Sequence, residues 1–210
     1  MIRFVILLDG DMTPTARLKS QVEDCRVIAA DGGVRHADPL SLLPEVWLGD
    51  FDSAPMAVPE QFTGIPRIPY PQDKDATDGE IAVNEALERG AGELLLVGAF
   101  GGRRADHALL HKTMALALAG RKIKTTLSDG VQEGYPLLAG KHQFEFEPDT
   151  LFSLIGFSDL ADLTITGVKW PLENVDIALG SSLTLSNEVI GKLEISLGSG
   201  IALLVAQVAN

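Results

Sequence analysis

The sequence predicts an α/β N-terminal domain, with a mainly parallel sheet flanked by helices, followed by a C-terminal all-β sandwich. Two observations support this prediction. Short apolar segments alternate with helical patterns over residues 1–130, and such alternation is typical of a parallel sheet covered by helices. Over residues 131–210, strand patterns follow one another without helices. The chain is therefore divided into two predicted domains, residues 1–130 and residues 131–210.

The first region contains six predicted strands and three predicted helices. The strands are short, apolar and bounded by Gly, Asp or Pro: Ile2–Leu8, Arg26–Ala30, Val46–Leu48, Gly64–Ile68, Glu93–Val97 and Lys122–Leu127. The helices are Pro14–Val22, Thr77–Arg89 and Asp106–Ala119. Thr77 and Glu80 form a capping box that marks the start of the second helix, and Gly90 marks its end.

Alternating apolar and polar residues predict the strands of the second region. They are His142–Phe146, Leu151–Gly156, Leu163–Val168, Leu183–Ser186, Lys192–Leu197 and Ile201–Ala206. Turn residues recur every ~8–12 positions, which is typical of a sandwich or barrel. The predicted boundary lies in Ser128–Gly140, a segment with three glycines and one proline.

Composition excludes several classes of function. The net charge of −12 argues against a nucleic-acid partner, because phosphate backbones are bound by basic surfaces. No run approaches the ~18 apolar residues of a membrane span, and the apolar N-terminal segment is too short for a signal peptide. The single cysteine, Cys25, is predicted to be a buried strand residue. One cysteine allows no disulfide within the chain, so we expect a reducing, cytoplasmic location.

Two clusters of carboxylates follow short apolar segments. Asp50 and Asp52 come directly after the strand Val46–Leu48, and Asp73, Asp75 and Asp78 gather at a helix N-terminus. The negative charges within such clusters repel one another unless a cation lies between them. The usual cation is Mg²⁺, bound together with a phosphate chain. A turn explains the first pair equally well, and helix capping explains part of the second cluster.

Two glycine-containing loops are further candidates. Asp31-Gly32-Gly33 follows a predicted strand, and glycine allows close approach of the backbone to a ligand. Gly101-Gly102-Arg103-Arg104 follows another strand, and guanidinium groups match phosphate oxygens. Asp106-His107 then opens a helix, and an N-cap role for Asp106 with a solvated first-turn position for His107 stays open. The chain has neither a Walker A motif nor Gly-x-Gly-x-x-Gly, so any nucleotide is held differently.

Together these motifs resemble the thiamine pyrophosphokinase family over nearly the whole chain. The ordered set is Asp31-Gly32-Gly33, Gly49-Asp50-Phe51-Asp52-Ser53, Lys74-Asp75-Ala76-Thr77-Asp78, Gly101-Gly102-Arg103-Arg104-Ala105-Asp106-His107, Lys169-Trp170-Pro171-Leu172 and Ser186-Asn187-Glu188. The resemblance implies an α/β catalytic domain that binds nucleotide and Mg²⁺, then a β-sandwich for thiamine binding and dimerisation. It also implies a homodimer with active sites at the subunit interface.

The resemblance also implies a reaction and a set of site residues. The reaction transfers the diphosphate of ATP to the hydroxyethyl group of thiamine, with Mg²⁺, and releases AMP. Asp50, Asp52 and Asp78 are then the catalytic metal-binding acids, joined by Asp75. The nucleotide site comprises Asp31, Gly32, Gly33, Lys74, Thr77, Arg104, Asp106 and His107. Trp170, Ser186 and Asn187 bind thiamine, although a core position for Trp170 and a hairpin turn for Ser186-Asn187 stay open.

The chain departs from the family pattern at two places. One extra residue lies between Gly102 and Asp106, so either Arg103 or Arg104 takes the family role, and the spacing favours Arg104. His111 stands where the family commonly has Asn. Two other functions stay open: a related diphosphokinase for another heterocyclic alcohol, such as a hydroxymethylpterin, and a nucleotide- or thiamine-binding sensor without turnover. A phosphohydrolase is a weaker option.

Overall fold

A computed structural model describes residues 1–51, 60–71, 73 and 75–208. Its central feature is a mixed sheet of eleven strands among these residues. The strands are β1 Ile2–Leu7, β2 Arg26–Ala30, β3 Val46–Gly49, β4 Arg67–Pro69, β5 Ala91–Val97, β6 Lys124–Ser128, β7 Gln132–Phe144, β8 Leu151–Gly156, β9 Leu160–Val168, β10 Leu172–Ile177 and β11 Asn187–Gln207. The helices are α1 Ala16–Val22, α2 Asp78–Glu88 and α3 Ala105–Gly120, with 3₁₀ turns at Asp31–His36 and Glu60–Phe62.

Six neighbouring strands form a parallel block in the order β6-β5-β1-β2-β3-β4. Strand β1 lies near its centre and is buried on both faces. Phe4 and Ile6 pack into one hydrophobic core with residues of α2 and α3, whereas Val5 and Leu7 pack into another with residues of α1. A strand covered on both faces reads as a continuous apolar run, which explains the N-terminal sequence. The predicted parallel sheet with flanking helices is confirmed.

Side-chain caps fix the starts of two helices. Thr15 lies one residue before α1 begins, and its hydroxyl accepts a hydrogen bond from the backbone N–H of Leu18 at 3.2 Å. Thr77 caps α2 in the same way, accepting from the N–H of Glu80 at 3.3 Å. Each cap satisfies a backbone donor that the first turn leaves without a helical partner. The first residue of α2, Asp78, is thereby held at a defined place beside the sheet.

The later strands form a second core. Strand β7 pairs with the end of β6 and then runs antiparallel to β11 along most of its length. Strand β11 also pairs with β8 and β9, and β10 continues the sheet beyond β9. The buried side chains enclosed by these strands include Phe152, Leu163, Leu193 and Leu204. The sheet is therefore continuous from the parallel block to the antiparallel strands.

Several element boundaries differ from the sequence prediction. Residues 183–186 form turns rather than a strand, and their two leucines are exposed. Strand β10 was not predicted. The two predicted strands at Lys192–Leu197 and Ile201–Ala206 form one strand, β11, with a register shift between them. The predicted strand His142–Phe146 overlaps the end of β7, which stops at Phe144 and also occupies most of the segment predicted to be a domain boundary.

No helix in the described part of the chain is long and apolar enough to cross a membrane.

A buried carboxylate ties α1 to β7. Glu133 is 1% exposed, and Arg17 donates to its two oxygens at 2.6 and 2.8 Å. Gln21 donates at 2.6 Å, and the hydroxyl of Tyr135 donates as well. Burial raises the pKa of Glu133, but the hydrogen bonds from Arg17 and Tyr135 outweigh burial and hold the pKa below its usual value. The ionised form is therefore the one the fold stabilises.

Replacing Glu133 with Gln is expected to lower the free energy of unfolding by about 3 kcal/mol, because Arg17 loses its buried partner. The pKa of Glu133 is lower in the folded state than in the unfolded state. The stabilisation by ionised Glu133 is therefore fully present above the unfolded-state pKa and is lost as pH falls through the folded-state pKa. Urea unfolding across that acidic range measures both effects. Glu194→Gln, which breaks an exposed pair with Lys192, is the control and should cost less than ~1 kcal/mol. Equal losses in the two variants would contradict the assignment.

Candidate active site

A cavity of about 920 Å³ opens at the carboxyl ends of the parallel strands. Open α/β sheets bind their ligands at this edge. The loops that follow β1, β2, β3 and β5 line it, together with the starts of α2 and α3. The lining residues are Leu8, Asp9, Gly10, Asp11, Ala30, Asp31, Arg35, Asp50, Asp78, Gly79, Gly101, Gly102, Arg103, Arg104, His107 and His111. The lining contains a group of acids, which we call the acidic wall, and a group of arginines, which we call the basic wall. The acidic wall is Asp31, Asp50 and Asp78, and the basic wall is Arg35, Arg103 and Arg104.

Three carboxylates meet on the acidic wall. Asp31, Asp50 and Asp78 each place one oxygen within 4.8 Å of the others. They come from three elements, the 3₁₀ turn after β2, the residue after β3 and the first turn of α2. Oxygen atoms of carboxylates are the ligands of hard divalent cations, so this donor set fits Mg²⁺. Sequence reasoning placed Asp50 and Asp78 in one metal site and Asp31 beside it, and the structure brings all three together.

Unusual backbone conformations set the positions of these acids. Asp31 has a φ of +43°, and Gly49, directly before Asp50, has a φ of +145°. A Cβ atom on Gly49 would lie 3.0 Å from the Cβ of Asp31, so a larger residue would push the two segments apart. The indole N–H of Trp47 donates to the carbonyl of Asp31 at 2.9 Å and fixes the turn from inside the core. Glycine at residue 49 therefore allows Asp31 and Asp50 to approach each other.

The loops below the cavity pack backbone against backbone. A Cβ on Gly10 would lie 2.0 Å from the carbonyl oxygen of Gly98 and 2.6 Å from that of Gly101. A Cβ on Gly33 would lie 2.1 Å from the carbonyl oxygen of Leu7. The ring of buried His36 bonds the Gly10 carbonyl through Nε2 at 2.8 Å. The loops after β1, β2 and β5 are thus held in direct contact.

Arg103 and Arg104 extend the basic wall, but their surroundings differ. Arg104 donates to both oxygens of Asp106, at 3.0 and 2.7 Å, in a pair exposed to solvent. The guanidinium of Arg104 accordingly holds the pKa of Asp106 well below its usual range. Arg103 makes no ion pair with any described residue, and its charge lies close enough to Arg35 to lower the pKa of that guanidinium. Spacing alone favoured Arg104 for ligand binding, whereas the contacts give Arg104 a partner within the chain.

Two histidines on α3 border the cavity. Their rings lie 6.4 Å apart, edge to face, and His111 is buried. Burial, followed by the charges of His107 and Lys112, lowers the pKa of His111 to about 4. Its ring is therefore neutral near pH 7. Residue 79 beside it is a glycine whose Cβ would lie only 3.2 Å from Nε2 of His111, so the imidazole fills the place next to the first turn of α2.

Other predicted residues lie outside this cavity. Asp75 is exposed and does not line it, and Thr77 serves as the cap of α2. Gly32 and Gly33 lie in the 3₁₀ turn behind Asp31. Asp52 and Lys74 fall outside the described residues. The predicted thiamine-binding residues Trp170, Ser186 and Asn187 lie among the antiparallel strands, away from the lining residues.

Sequence reasoning missed three charged lining residues, Asp9, Asp11 and Arg35. The two acids follow β1 as Asp50 follows β3, so their place at a strand end was the available signal. Arg35 carried no motif of its own. It reaches the cavity because the 3₁₀ turn that begins at Asp31 brings it back toward the end of β1.

An acidic wall, a basic wall and closely packed glycine loops at the ends of parallel strands define an α/β enzyme of the phosphoryl-transfer class. The family model of the thiamin pyrophosphokinase catalytic domain matches residues 19–127, and that of the thiamin pyrophosphokinase vitamin B1 binding domain matches residues 141–202. The chain belongs to the thiamin pyrophosphokinase family. The protein is accordingly an enzyme with thiamine diphosphokinase activity, as the sequence motifs predicted.

Individual relatives agree. Thiamine pyrophosphokinase of Bacillus subtilis (strain 168) is 32% identical over 183 residues, 85% of each chain. The crystal structure of thiamine pyrophosphokinase from Bacillus subtilis superposes with a TM-score of 0.83 at 28% identity, covering 98% of both chains. Thiamin pyrophosphokinase from Candida albicans shares the fold, with a TM-score of 0.79 at 15% identity over 98% of this chain and 89% of that one.

Replacing Gly10 with Ala is expected to lower the free energy of unfolding by at least ~2 kcal/mol, because the new methyl group meets two backbone oxygens that cannot move independently. Thermal unfolding followed by circular dichroism measures the loss. Gly120→Ala, at the end of α3 with open space around its Cβ, is the matched control and should change stability little. Normal stability of the Gly10→Ala protein would show that these loops are not tightly packed.

Proposed function

We propose that this thiamine diphosphokinase uses ATP as the diphosphate donor, requires Mg²⁺ and releases AMP. The observation that carries the proposal is the meeting of Asp31, Asp50 and Asp78 at the strand ends, in a cavity that arginines also line. A triphosphate bearing a divalent cation has the charge pattern that complements these two walls. The family membership supplies the acceptor, and the cavity supplies the place for the donor.

Asp31, Asp50 and Asp78 would hold the metal, with Asp52 beside them by resemblance to the family. Asp75 has weaker support, because it is exposed and outside the lining of the cavity. When bound, Mg²⁺ neutralises part of the triphosphate charge and orients the phosphates for in-line attack. The positive φ angle of Asp31 and the absence of a side chain at residue 49 keep the acids preorganised for this task.

The basic wall and the helix start would bind the rest of the nucleotide. Arg104, which pairs with Asp106, and His107 on the first turn of α3 line the cavity next to the glycine loop, whereas Asp106 itself does not line it. The Gly32-Gly33 turn offers backbone close to the ligand, and Lys74 is proposed as a further phosphate contact by resemblance. In this arrangement the thiamine hydroxyl attacks the β-phosphorus and AMP leaves. A strong base is not required for such a loose transition state.

Trp170 is proposed as the surface on which thiamine stacks. Its side chain is exposed rather than part of the second core, which argues against the core interpretation. The Asn187 side chain holds the backbone of Trp170 from both sides, accepting from its N–H at 3.2 Å and donating to its carbonyl at 2.8 Å. Ser186 is fixed next to it by a hydrogen bond from its N–H to Ser153 at 3.0 Å. A flat aromatic ring attracts a cationic heterocycle.

We further propose a homodimer with the active site between subunits. Trp170 does not line the acidic cavity of its own chain, so a second copy is needed to bring a thiamine-stacking surface to it. The exposed side chains of Leu183 and Leu185 lie near Ser186 and are candidates for burial in the interface.

The proposed division of roles is a catalytic α/β domain over residues 1–130 and a thiamine-binding, dimerising β-sandwich over residues 131–210. A cytoplasmic location is proposed from the single cysteine.

Replacing Asp50 or Asp78 with Asn is expected to lower turnover by about 100-fold or more, because each change removes a charge from the metal site. Formation of AMP and thiamine diphosphate from ATP and thiamine measures it, with Mg²⁺ varied to detect weakened metal dependence. Asp24→Asn is the control, since Asp24 is exposed and asparagine tolerates its positive φ. ADP as product would overturn the proposed chemistry, and normal rates in both variants would overturn the metal site.

Replacing Trp170 with Ala is expected to raise the KM for thiamine about tenfold, since a stacking surface is lost, while the KM for ATP stays near its normal value. Leu179→Ala is a suitable control, because Leu179 is similarly exposed but is not a predicted thiamine contact. Steady-state kinetics with each substrate varied in turn separate the two effects. An unchanged KM for thiamine would contradict the assignment of Trp170.

A further inference from the structure

Arg35 is a cation of the cavity that the family motifs leave unassigned. It lies in the same 3₁₀ turn as Asp31, four residues further along, and it lines the same cavity. A single short turn therefore carries one residue of the acidic wall and one of the basic wall.

The guanidinium of Arg35 is held rigidly. Its Nη2 donates to the carbonyl oxygens of Asp9 and Gly10 at 2.6 and 3.0 Å, and its Nη1 donates to the Gly32 carbonyl at 3.4 Å. Nη1 also forms an ion pair with the carboxylate of Asp9. Most of its N–H groups are thus directed at the protein, so a ligand experiences chiefly its positive charge.

A second positive charge lies in the same cavity. Burial lowers the pKa of Arg35, and the nearby charge of Arg103 lowers it further. Arg103 lines the same cavity and has no ion-pair partner among the described residues. Asp9 neutralises part of the charge of Arg35, so these two nearby guanidinium groups have one carboxylate partner among the described residues. The positive charge that is left favours the binding of an anion in the cavity.

We propose that Arg35 and Arg103 form the anion-binding half of the cavity and hold the phosphate chain of the donor. Arg35 acts through its fixed charge and Arg103 through direct contact, while Arg104 orders the start of α3 through Asp106. This assignment rests on the proposed use of a triphosphate donor. It adds a binding role for Arg35 that goes beyond the motif residues, and it selects Arg103 over Arg104.

A purely structural role for Arg35, as a clamp on the loop of Asp9 and Gly10, makes a different prediction for Asp9. If Arg35 only clamps the loop, Asp9→Asn removes the ion pair but leaves the bonds to backbone carbonyls, so it weakens binding, though less than Arg35→Gln does. If its charge attracts phosphate, Asp9→Asn removes a competing negative charge and strengthens binding. The two roles therefore predict opposite signs for the Asp9 variant.

The test is calorimetric binding of inorganic triphosphate with Mg²⁺ to the full-length protein. We expect Arg35→Gln and Arg103→Gln each to weaken binding about tenfold, corresponding to the loss of one nearby charge. Arg35→Lys keeps the charge and should lose no more than about threefold, whereas Asp9→Asn should bind about twofold to threefold more tightly. Arg26→Gln is the matched control, because Arg26 forms a similar two-bond pair with Glu45 at the other end of β2.

Steady-state kinetics complete the test. The KM for ATP should rise in Arg35→Gln in parallel with the weaker triphosphate binding, with the KM for thiamine unchanged. Unaltered triphosphate binding in Arg35→Gln, a loss in Arg35→Lys equal to that in Arg35→Gln, or weaker rather than tighter binding in Asp9→Asn overturns the proposal. If Arg35→Gln does not fold, the other two variants test the proposal. Triphosphate binding should be preserved in Arg35→Lys and strengthened in Asp9→Asn. A wild-type protein that binds triphosphate through Arg35 but forms no AMP would overturn the proposed donor chemistry and leave this assignment standing.

Discussion

Direct contact between backbones at the strand ends is the constraint on which the rest of the site depends. Gly10 lies against the carbonyl oxygens of Gly98 and Gly101, and Gly33 lies against that of Leu7. No side chain separates these loops, so the residues on them have little freedom to move apart. The acidic and basic walls line one cavity because the loops that carry them are joined beneath it.

Much of the parallel half could be predicted from the sequence, because its local signals agree with its tertiary environment. Strand β1 is buried on both faces, so its apolar run is unambiguous, and Thr77 caps α2 where the motif placed the helix start. The acids Asp50 and Asp78 were found in the same way, as polar residues directly after apolar strands or at a helix N-terminus. Where the local sequence pattern agrees with the tertiary packing, a single sequence is sufficient to predict the element.

The missed features depend on contacts between distant parts of the chain. Residues Leu183–Ser186 have a strand-like pattern, yet the buried Thr184 hydroxyl bonds the carbonyl of Leu154 and holds the segment as a turn. Arg35 has no local motif, and only the approach of the β1 loop gives its guanidinium its partners. Glycine and proline within 128–140 suggested a linker, but pairing with β11 over most of β7 overrides those local preferences. Such long-range pairing carries no signature in the segment itself.

Strand β11 has a consequence for how the protein unfolds. Leu203 belongs to the core of the parallel block, while its neighbour Leu204 belongs to the core of the antiparallel strands. Successive side chains of one strand thus serve both cores, and Glu133 on the adjoining strand is fastened to α1. Neither half can lose its order without stripping apolar cover from the other. The two regions should therefore melt in a single cooperative transition, and a chain cut between them would leave each piece with an open, aggregation-prone edge.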